Sequence, residues 1–257
     1  MARLSGKAAV VTGTSRGLGR EIVLAFGREG ARVIALSRDM ARGEQVAAEA
    51  NAAGGEVVFQ RGDVTQEEDI VGAIERCQAE FGGLDILVNN AGILGEGRLH
   101  ETTNEQWNQL MAVHMTGTFW GCKHALVAMR AAGRPGAIVN TGSILSFTGD
   151  GYLAAYTAMK SGILGLTKAI AIDYAADGIR CNCVCPGDME TPMIDEYFAG
   201  TEDAVAAREE MESAYPGKRI AHPAEVAAAV VYLASDEASF VSGTSLVVDG
   251  GLLAKTY

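Results

Sequence analysis

The sequence predicts an α/β protein built on a doubly wound, seven-stranded parallel sheet with helices on both faces. Short apolar, β-branched runs alternate with longer Ala-rich segments of helical periodicity along the whole chain. Most of the short runs are continuously hydrophobic rather than alternating, as strands covered on both faces are. The chain's 257 residues, 48% of them hydrophobic, suffice for one substantial core. No repeat, low-complexity linker or composition break marks a second core, so residues 1–257 are expected to form one domain.

The first strand is "KAAVVTG" from Lys7, which ends where "TGTSRGLG", Thr12 to Gly19, turns the chain into the first helix. "RVIALS" from Arg32 and "EVVFQRGD" from Glu56 follow, each after a helix-length segment. "DILVNNAG" from Asp85, "GAIVNTGS" from Gly136, "IRCNCVCPG" from Ile179 and "TSLVVDGG" from Thr244 complete the seven. Helices between successive strands imply crossover connections and hence parallel pairing. The stretch from about Glu190 to Arg219 departs from the pattern. It is charged, helix-prone and without a strand, and reads as an excursion from the sheet of the kind that forms substrate loops and lids.

Charge and cysteine usage narrow the functional classes. A formal net charge of -11 without a compact Lys/Arg stripe repels phosphate backbones and anionic lipid surfaces, which argues against nucleic-acid and membrane partners. No segment reaches the ~18 uninterrupted apolar residues of a membrane span. The apolar run in "MARLSGKAAVVTGTS" breaks at Thr12 and Gly13, short of a signal-peptide pattern, so a soluble cytoplasmic protein is expected. Three of the five cysteines, Cys181, Cys183 and Cys185, are spaced by two. On a strand they share one face about 6.6 Å apart, poor geometry for one metal ion. With no C-x-x-C or H-E-x-x-H motif and no histidine cluster, no metal is expected, and the thiols read as buried and reduced.

The chemistry lies in short motifs. In "TGTSRGLG" the glycines Gly13, Gly17 and Gly19, with Ser15, Arg16 and Leu18 between them, suit a loop whose backbone approaches a pyrophosphate at a helix N-terminus. A plain strand-to-helix turn has the same spacing. "YTAMK" sets Tyr156 and Lys160 one helical turn apart, so the ammonium and the phenol share a face. An ordinary exposed helix pair also fits that spacing.

Taken with "NNAG" at Asn89 to Gly92, "GDV" at Gly62 to Val64, "TGS" ending in Ser143 and "PGDMETPM" from Pro186, these motifs come in the order and spacing of a known family. Over nearly its full length the chain resembles the short-chain dehydrogenase/reductases, in the compact branch without an extra domain. The resemblance implies a Rossmann fold, a nicotinamide cofactor and hydride transfer between a secondary alcohol and a carbonyl. It implies that Tyr156 is the acid/base, Lys160 its modulator and a ligand of the nicotinamide ribose, and Ser143 the hydroxyl that orients the substrate oxygen. An adjacent ammonium and a cationic nicotinamide ring favour the phenolate, and lowering a phenol pKa near 10 by about 2 to 3 units corresponds to roughly 3 to 4 kcal/mol, within reach of a close, partly desolvated lysine. The resemblance also implies Asp63 at the adenine amino group, Val64 beside the adenine, Asn90 near the adenosine ribose and Thr191 near the nicotinamide. Asp63 as a helix cap is the alternative; Asn89, Gly92 and Gly187 read as architectural. A homotetramer packed partly through the Tyr156 helix is implied as well.

Cofactor choice is read at "IALSRD", where an acidic side chain would accept the ribose hydroxyls of NAD. Ser37 leaves that seat neutral, Arg38 follows it, and Arg16 of the glycine loop can approach the same phosphate, so NADP is expected, with NAD possible given Asp39. One position departs from the family pattern. In "MAVHMTGTF", His114 stands where the family has an asparagine that supports a water chain from the active-site lysine. A neutral imidazole can substitute for the amide, and its protonation would slow turnover at mildly acidic pH; a packed helix histidine is the alternative. The leading function is an NADP-dependent secondary-alcohol dehydrogenase or ketone reductase. Reduction of a 3-ketoacyl group on an acyl carrier protein and a non-catalytic dinucleotide sensor are the alternatives. The first requires an acidic partner that this acidic chain repels; the second has no use for Ser143, Tyr156 and Lys160 together. Met189, Met193, Tyr197, Phe198, Leu145, Phe147 and Tyr152 are candidates for an apolar substrate pocket.

Overall fold

A computed structural model of the chain describes residues 2–255. Seven parallel strands form one sheet: β1 (Ala8–Thr12), β2 (Arg32–Ser37), β3 (Glu56–Arg61), β4 (Ile86–Asn89), β5 (Gly136–Thr141), β6 (Ile179–Pro186) and β7 (Ser245–Val248). Their order is β3-β2-β1-β4-β5-β6-β7, so the direction of winding reverses between β1 and β4. This is the doubly wound sheet the sequence predicts.

The two-residue period of a strand sends neighbouring side chains to opposite layers. Ala9 and Val11 of β1 pack with Ile22 and Phe26 of α1 (Gly17–Arg28) and with Val226 and Val230 of α9 (Pro223–Ala234). Ala8 and Val10 pack on the other side, with Ile70 and Ile74 of α3 (Glu67–Phe81) and Ala125 of α5 (Gly117–Ala132). Full burial holds for β1, β4 and β5; the edge strands β3 and β7 keep partly exposed residues because no strand flanks their outer side. α2 (Met40–Ala52) is capped by Asp39, whose carboxylate accepts from the Arg42 N–H at 3.1 Å. α4 (Asn104–Leu110) starts at a capping box of Thr103 and Gln106, and runs into α5 through a π-helical turn, Met111–Thr116.

α6 (Ala154–Asp173), which carries Tyr156 and Lys160, is tied to the sheet by buried amides. The Asn89 Nδ2 donates to Asn140 Oδ1 at 2.9 Å, Asn140 Nδ2 donates to Thr167 Oγ1 at 3.0 Å, and Thr167 Oγ1 donates to the Ile163 carbonyl at 2.8 Å. This chain of bonds fixes β4, β5 and α6 together in a low-dielectric interior, where each unmade bond would be costly. Cys181, Cys183 and Cys185 are free and buried in β6, with the sulfurs of Cys183 and Cys185 3.7 Å apart beneath α6.

Between β6 and β7 the chain makes α7 (Pro192–Ala199), α8 (Ala204–Ala214) and then α9. The excursion is closed at its base by a parallel bridge of Met189 with Ala221, in which Glu190 N donates to the Ala221 carbonyl and Ala221 N to the Asp188 carbonyl, both at 2.9 Å. Among the described residues no helix is long and apolar enough to cross a membrane.

Candidate active site

Strand ends and the loops that follow them form a cleft of about 1310 Å³ along the carboxyl edge of the sheet, at the point where the winding reverses. Gly13, Ser15, Arg16, Gly17, Leu18, Gly19, Arg38, Asp63, Val64, Asn90, His114, Ser143, Tyr156, Lys160 and Thr191 all line it. Residues from across the sequence are thereby brought to one surface.

One wall is the loop between β1 and α1. Gly13 sits at φ +72, and a side chain there would come within 2.7 Å of the Ala91 Cα; a Cβ on Gly19 would lie 2.0 Å from the Gly13 carbonyl oxygen. Asn90 staples this loop to β4, its Nδ2 donating to the Thr12 carbonyl at 3.0 Å and the Gly13 carbonyl at 3.3 Å. No side chain caps α1, so its first N–H groups are available to a phosphate, and Thr14 Oγ1 is buried without a partner in the same loop. A side-chain-free cradle, an uncapped helix start and an orphaned hydroxyl fit a dinucleotide pyrophosphate.

Beyond this loop, Ser37 Oγ is also buried without a partner. Arg38 lies 3.6 Å from the Asp63 carboxylate and Arg42 lies 3.5 Å from that of Asp39. Arg42, in the first turn of α2, lines the cleft as well, and the sequence reading did not include it. The Arg16 guanidinium pairs with Glu196 of α7. Asp63 does not cap α3, which begins after Gln66; its Oδ1 accepts from the Thr65 N–H at 2.9 Å. Thr191 bridges to the other wall as the residue before α7, its methyl facing the Gly17 Cα, and its hydroxyl donates to the Met189 carbonyl at 3.3 Å.

The opposite wall carries Ser143, at the end of β5, and Tyr156 and Lys160 of α6. Their arrangement corrects the simple picture of an ammonium beside a phenol oxygen. Lys160 Nζ sits 5.4 Å from the centre of the Tyr156 ring and donates to the Thr141 carbonyl at 2.9 Å. Burial lowers the Lys160 ammonium to about 8, opposed by the thiols of Cys183 and Cys185. Burial raises the Tyr156 phenol above its ordinary value, opposed by the Ser143 hydroxyl and reinforced by the Asp188 carboxylate. In the protein alone, therefore, the phenol is held protonated. Desolvation outweighs a charge that sits over the ring rather than at the oxygen.

His114 lies in the π-helical turn, 1% exposed, with its ring edge-on to that of Tyr156 at 5.4 Å between centres. Its Nε2 is 2.8 Å from the Ile93 carbonyl oxygen and 3.3 Å from the Ile93 N–H; the shorter contact favours a proton on Nε2, which leaves Nδ1 as a buried acceptor without a protein partner. Burial and then the Lys160 charge take this imidazole down to about 3, against the pull of the Ile93 carbonyl. A ring held that low stays neutral in mild acid, which removes the basis for a loss of activity through His114 protonation there.

Of the apolar candidates, Leu145, Tyr152, Met189, Met193 and Tyr197 line the cleft. Phe198 is buried in the protein and Phe147 is exposed, so neither belongs to the lining. Sequence reading missed Asp188, a carboxylate in the cleft that accepts from the Tyr215 hydroxyl at 2.8 Å. Its only signal was an acidic residue directly after "PG".

Residues 13–253 match the family model described as enoyl-(acyl carrier protein) reductase. The chain is 37% identical to a 2-(S)-hydroxypropyl-CoM dehydrogenase of Xanthobacter autotrophicus over 98% of both chains. It is 42% identical to a cis-4-hydroxycyclohexanecarboxylate dehydrogenase of Sinomonas cyclohexanicum, covering 96% of this chain and 97% of that protein. It is 37% identical to a cyclohexanol dehydrogenase of an Acinetobacter species, covering 98% and 97%.

The His114 environment has a measurable consequence. A histidine lowered in the fold from 6.5 to about 3 binds its proton more tightly in the unfolded chain, so its contribution to stability is complete above pH 6.5 and is lost as pH falls towards 3. Between pH 7 and pH 5 the wild-type protein should therefore lose about 2 kcal/mol more unfolding free energy than His114→Asn. Urea unfolding of both proteins at the two pH values measures this; equal losses would show that His114 titrates alike in both states.

Proposed function

The chain belongs to the short-chain dehydrogenases and reductases, and from that premise we propose that it transfers hydride between NADP(H) and a secondary alcohol or ketone. The observation that carries the proposal is the convergence of Ser143, Tyr156 and Lys160 on the wall opposite an open glycine loop, within one cleft. NADP(H), when bound, supplies or accepts the hydride.

The chain's own residues manage the oxygen. In reduction, Tyr156 gives its proton to the carbonyl oxygen as negative charge develops there, and the Ser143 hydroxyl donates a hydrogen bond to the same atom. A phenol kept protonated by burial is suited to that task. Lys160, anchored on the Thr141 carbonyl, offsets the phenolate that remains, and in the oxidative direction it favours loss of the phenol proton. His114 contributes its Nδ1 acceptor to a water that links Lys160 to solvent. Gly13, Ser15, Gly17, Leu18 and Gly19 hold the pyrophosphate, Asp63, Val64 and Asn90 the adenosine half, and Thr191 the nicotinamide.

The preference for NADP over NAD is supported by Ser37, Arg38 and Arg42 at the end of β2, where no unpaired carboxylate stands. In the same reading, the excursion over residues 190–219 closes over substrate. A homotetramer is supported by exposed Phe119 and Val127 on α5 and Ile172 on α6. Five unpaired thiols support a cytoplasmic location.

Tyr156→Phe should abolish turnover and leave NADPH affinity nearly intact, since it removes a transferable proton and little dinucleotide contact. Turnover and NADPH fluorescence titration measured together check this; a variant keeping more than about a tenth of the wild-type rate would remove Tyr156 from the acid/base role.

Arg38→Ala should weaken NADPH about tenfold, roughly 1.5 kcal/mol, the low end for a charge-assisted bond. The low end applies because the Arg38 side chain is 67% exposed. NADH should bind almost as before. Equal losses for both dinucleotides would show that Arg38 supports the fold and not a phosphate.

A further inference from the structure

The cleft is electrically divided. Its cationic side chains are Arg16, Arg38, Arg42 and Lys160, all on the glycine loop, at the end of β2 or at the reacting centre. The carboxylates of Asp39, after β2, and Asp63, after β3, are paired with Arg42 and Arg38. The other half is lined by Glu96, Asp150, Asp188 and Glu210, and among the described residues none of these four forms an ion pair. The nearby guanidinia are engaged elsewhere: Arg16 with Glu196, and Arg208 with Glu190 and Glu212, while Arg98 lies over the Tyr152 ring and does not line the cleft.

The four acids face a common space. All of them hold the Tyr197 phenol above its ordinary value, after the larger effect of its burial. Asp188 is near enough to Tyr156 to raise its phenol too. One Asp188 oxygen is occupied by the Tyr215 hydroxyl at 2.8 Å, and the main-chain N–H of Asp188 donates to the same hydroxyl at 2.6 Å. The carboxylate is thus held in place by a residue of the excursion that follows α8.

Four carboxylates without an ion-pair partner are a poor seat for a carboxylate, phosphate or sulfonate and a favourable one for an ammonium. The Tyr197 ring adds a face on which a cation can lie.

Resting on the hydride-transfer reading above, we propose that the substrate is a secondary alcohol or ketone carrying a protonated amine, and that Asp188 is the residue that selects the charge. The substrate oxygen meets Ser143 and Tyr156 while the ammonium points to Asp188, with Glu96, Asp150 and Glu210 supplying field rather than contact.

Three small alcohols of similar size test this with the NADP-loaded protein: 1-amino-2-propanol as the cation, 2-butanol as the neutral compound and 3-hydroxybutyrate as the anion. Specificity constants at neutral pH should favour the amine over the neutral alcohol by about tenfold or more, chiefly in KM, with the anion poorest. The amine-to-neutral ratio should shrink as salt is raised. In Asp188→Asn, which can still accept from Tyr215, that ratio should fall to within about threefold of one. Asp150→Asn, at an exposed position, should lower it by a smaller factor.

A wild-type ratio near one, or a ratio unmoved by Asp188→Asn, overturns the proposal. Calorimetric titration of the same three compounds separates it from the reading beneath it. Preferential binding of the amine without turnover of any compound would leave the charge-selecting site standing and remove the hydride-transfer reading. Turnover without preference would do the reverse.

Discussion

Lys160 is 4% exposed, and its ammonium has one protein hydrogen bond, to the Thr141 carbonyl oxygen at 2.9 Å. Burying a charge with so little compensation costs about 3 kcal/mol at neutral pH, the equivalent of lowering its pKa from 10.5 to about 8. Much of the surrounding architecture serves to hold that ammonium where it is. The end of β5 must present the Thr141 carbonyl to α6, and the next residue must be glycine, since a Cβ on Gly142 would lie 2.8 Å from the sulfur of Cys183 and 2.9 Å from that of Cys185. The two sulfurs fill the space beside the lysine as polarizable neighbours and act in favour of its charge, against the larger effect of burial. The amide chain from Asn89 through Asn140 to Thr167 then fixes α6 against β5.

The neutral state of His114 follows from the same charge. A second cation so close to Lys160 would be repelled in a site with little water, and the Ile93 carbonyl fixes the tautomer that leaves Nδ1 as an acceptor. The π-helical turn between α4 and α5 brings this ring against Tyr156. Phenol, imidazole and ammonium thus form a packed group in which one member is charged.

The seven strands were legible because β1, β4 and β5 are buried on both faces, and only unbroken apolar runs such as "AAVV" and "DILV" satisfy that. The glycine loop and the Ser143, Tyr156 and Lys160 set were legible as motifs because each is confined to a few adjacent residues. What escaped reading depends on long-range packing. Asn90 braces the glycine loop, Arg16 pairs with Glu196, and Lys160 takes a partner on β5, and none of these partners is near in sequence. The raised Tyr156 phenol of the protein alone was not legible for the same reason: helix spacing shows that two side chains share a face, not whether one sits over the ring or at the oxygen, nor how much water remains.

The buried lysine is open to direct observation. The ε-carbon and ε-nitrogen resonances of Lys160, assigned by their absence from Lys160→Arg protein, can be followed by NMR as a function of pH. A desolvated ammonium should show a titration midpoint near 8 in the protein without dinucleotide. A midpoint at the ordinary lysine value of about 10.4 would mean that the ammonium is solvated, and would contradict the desolvated charge on which this reading of the site depends.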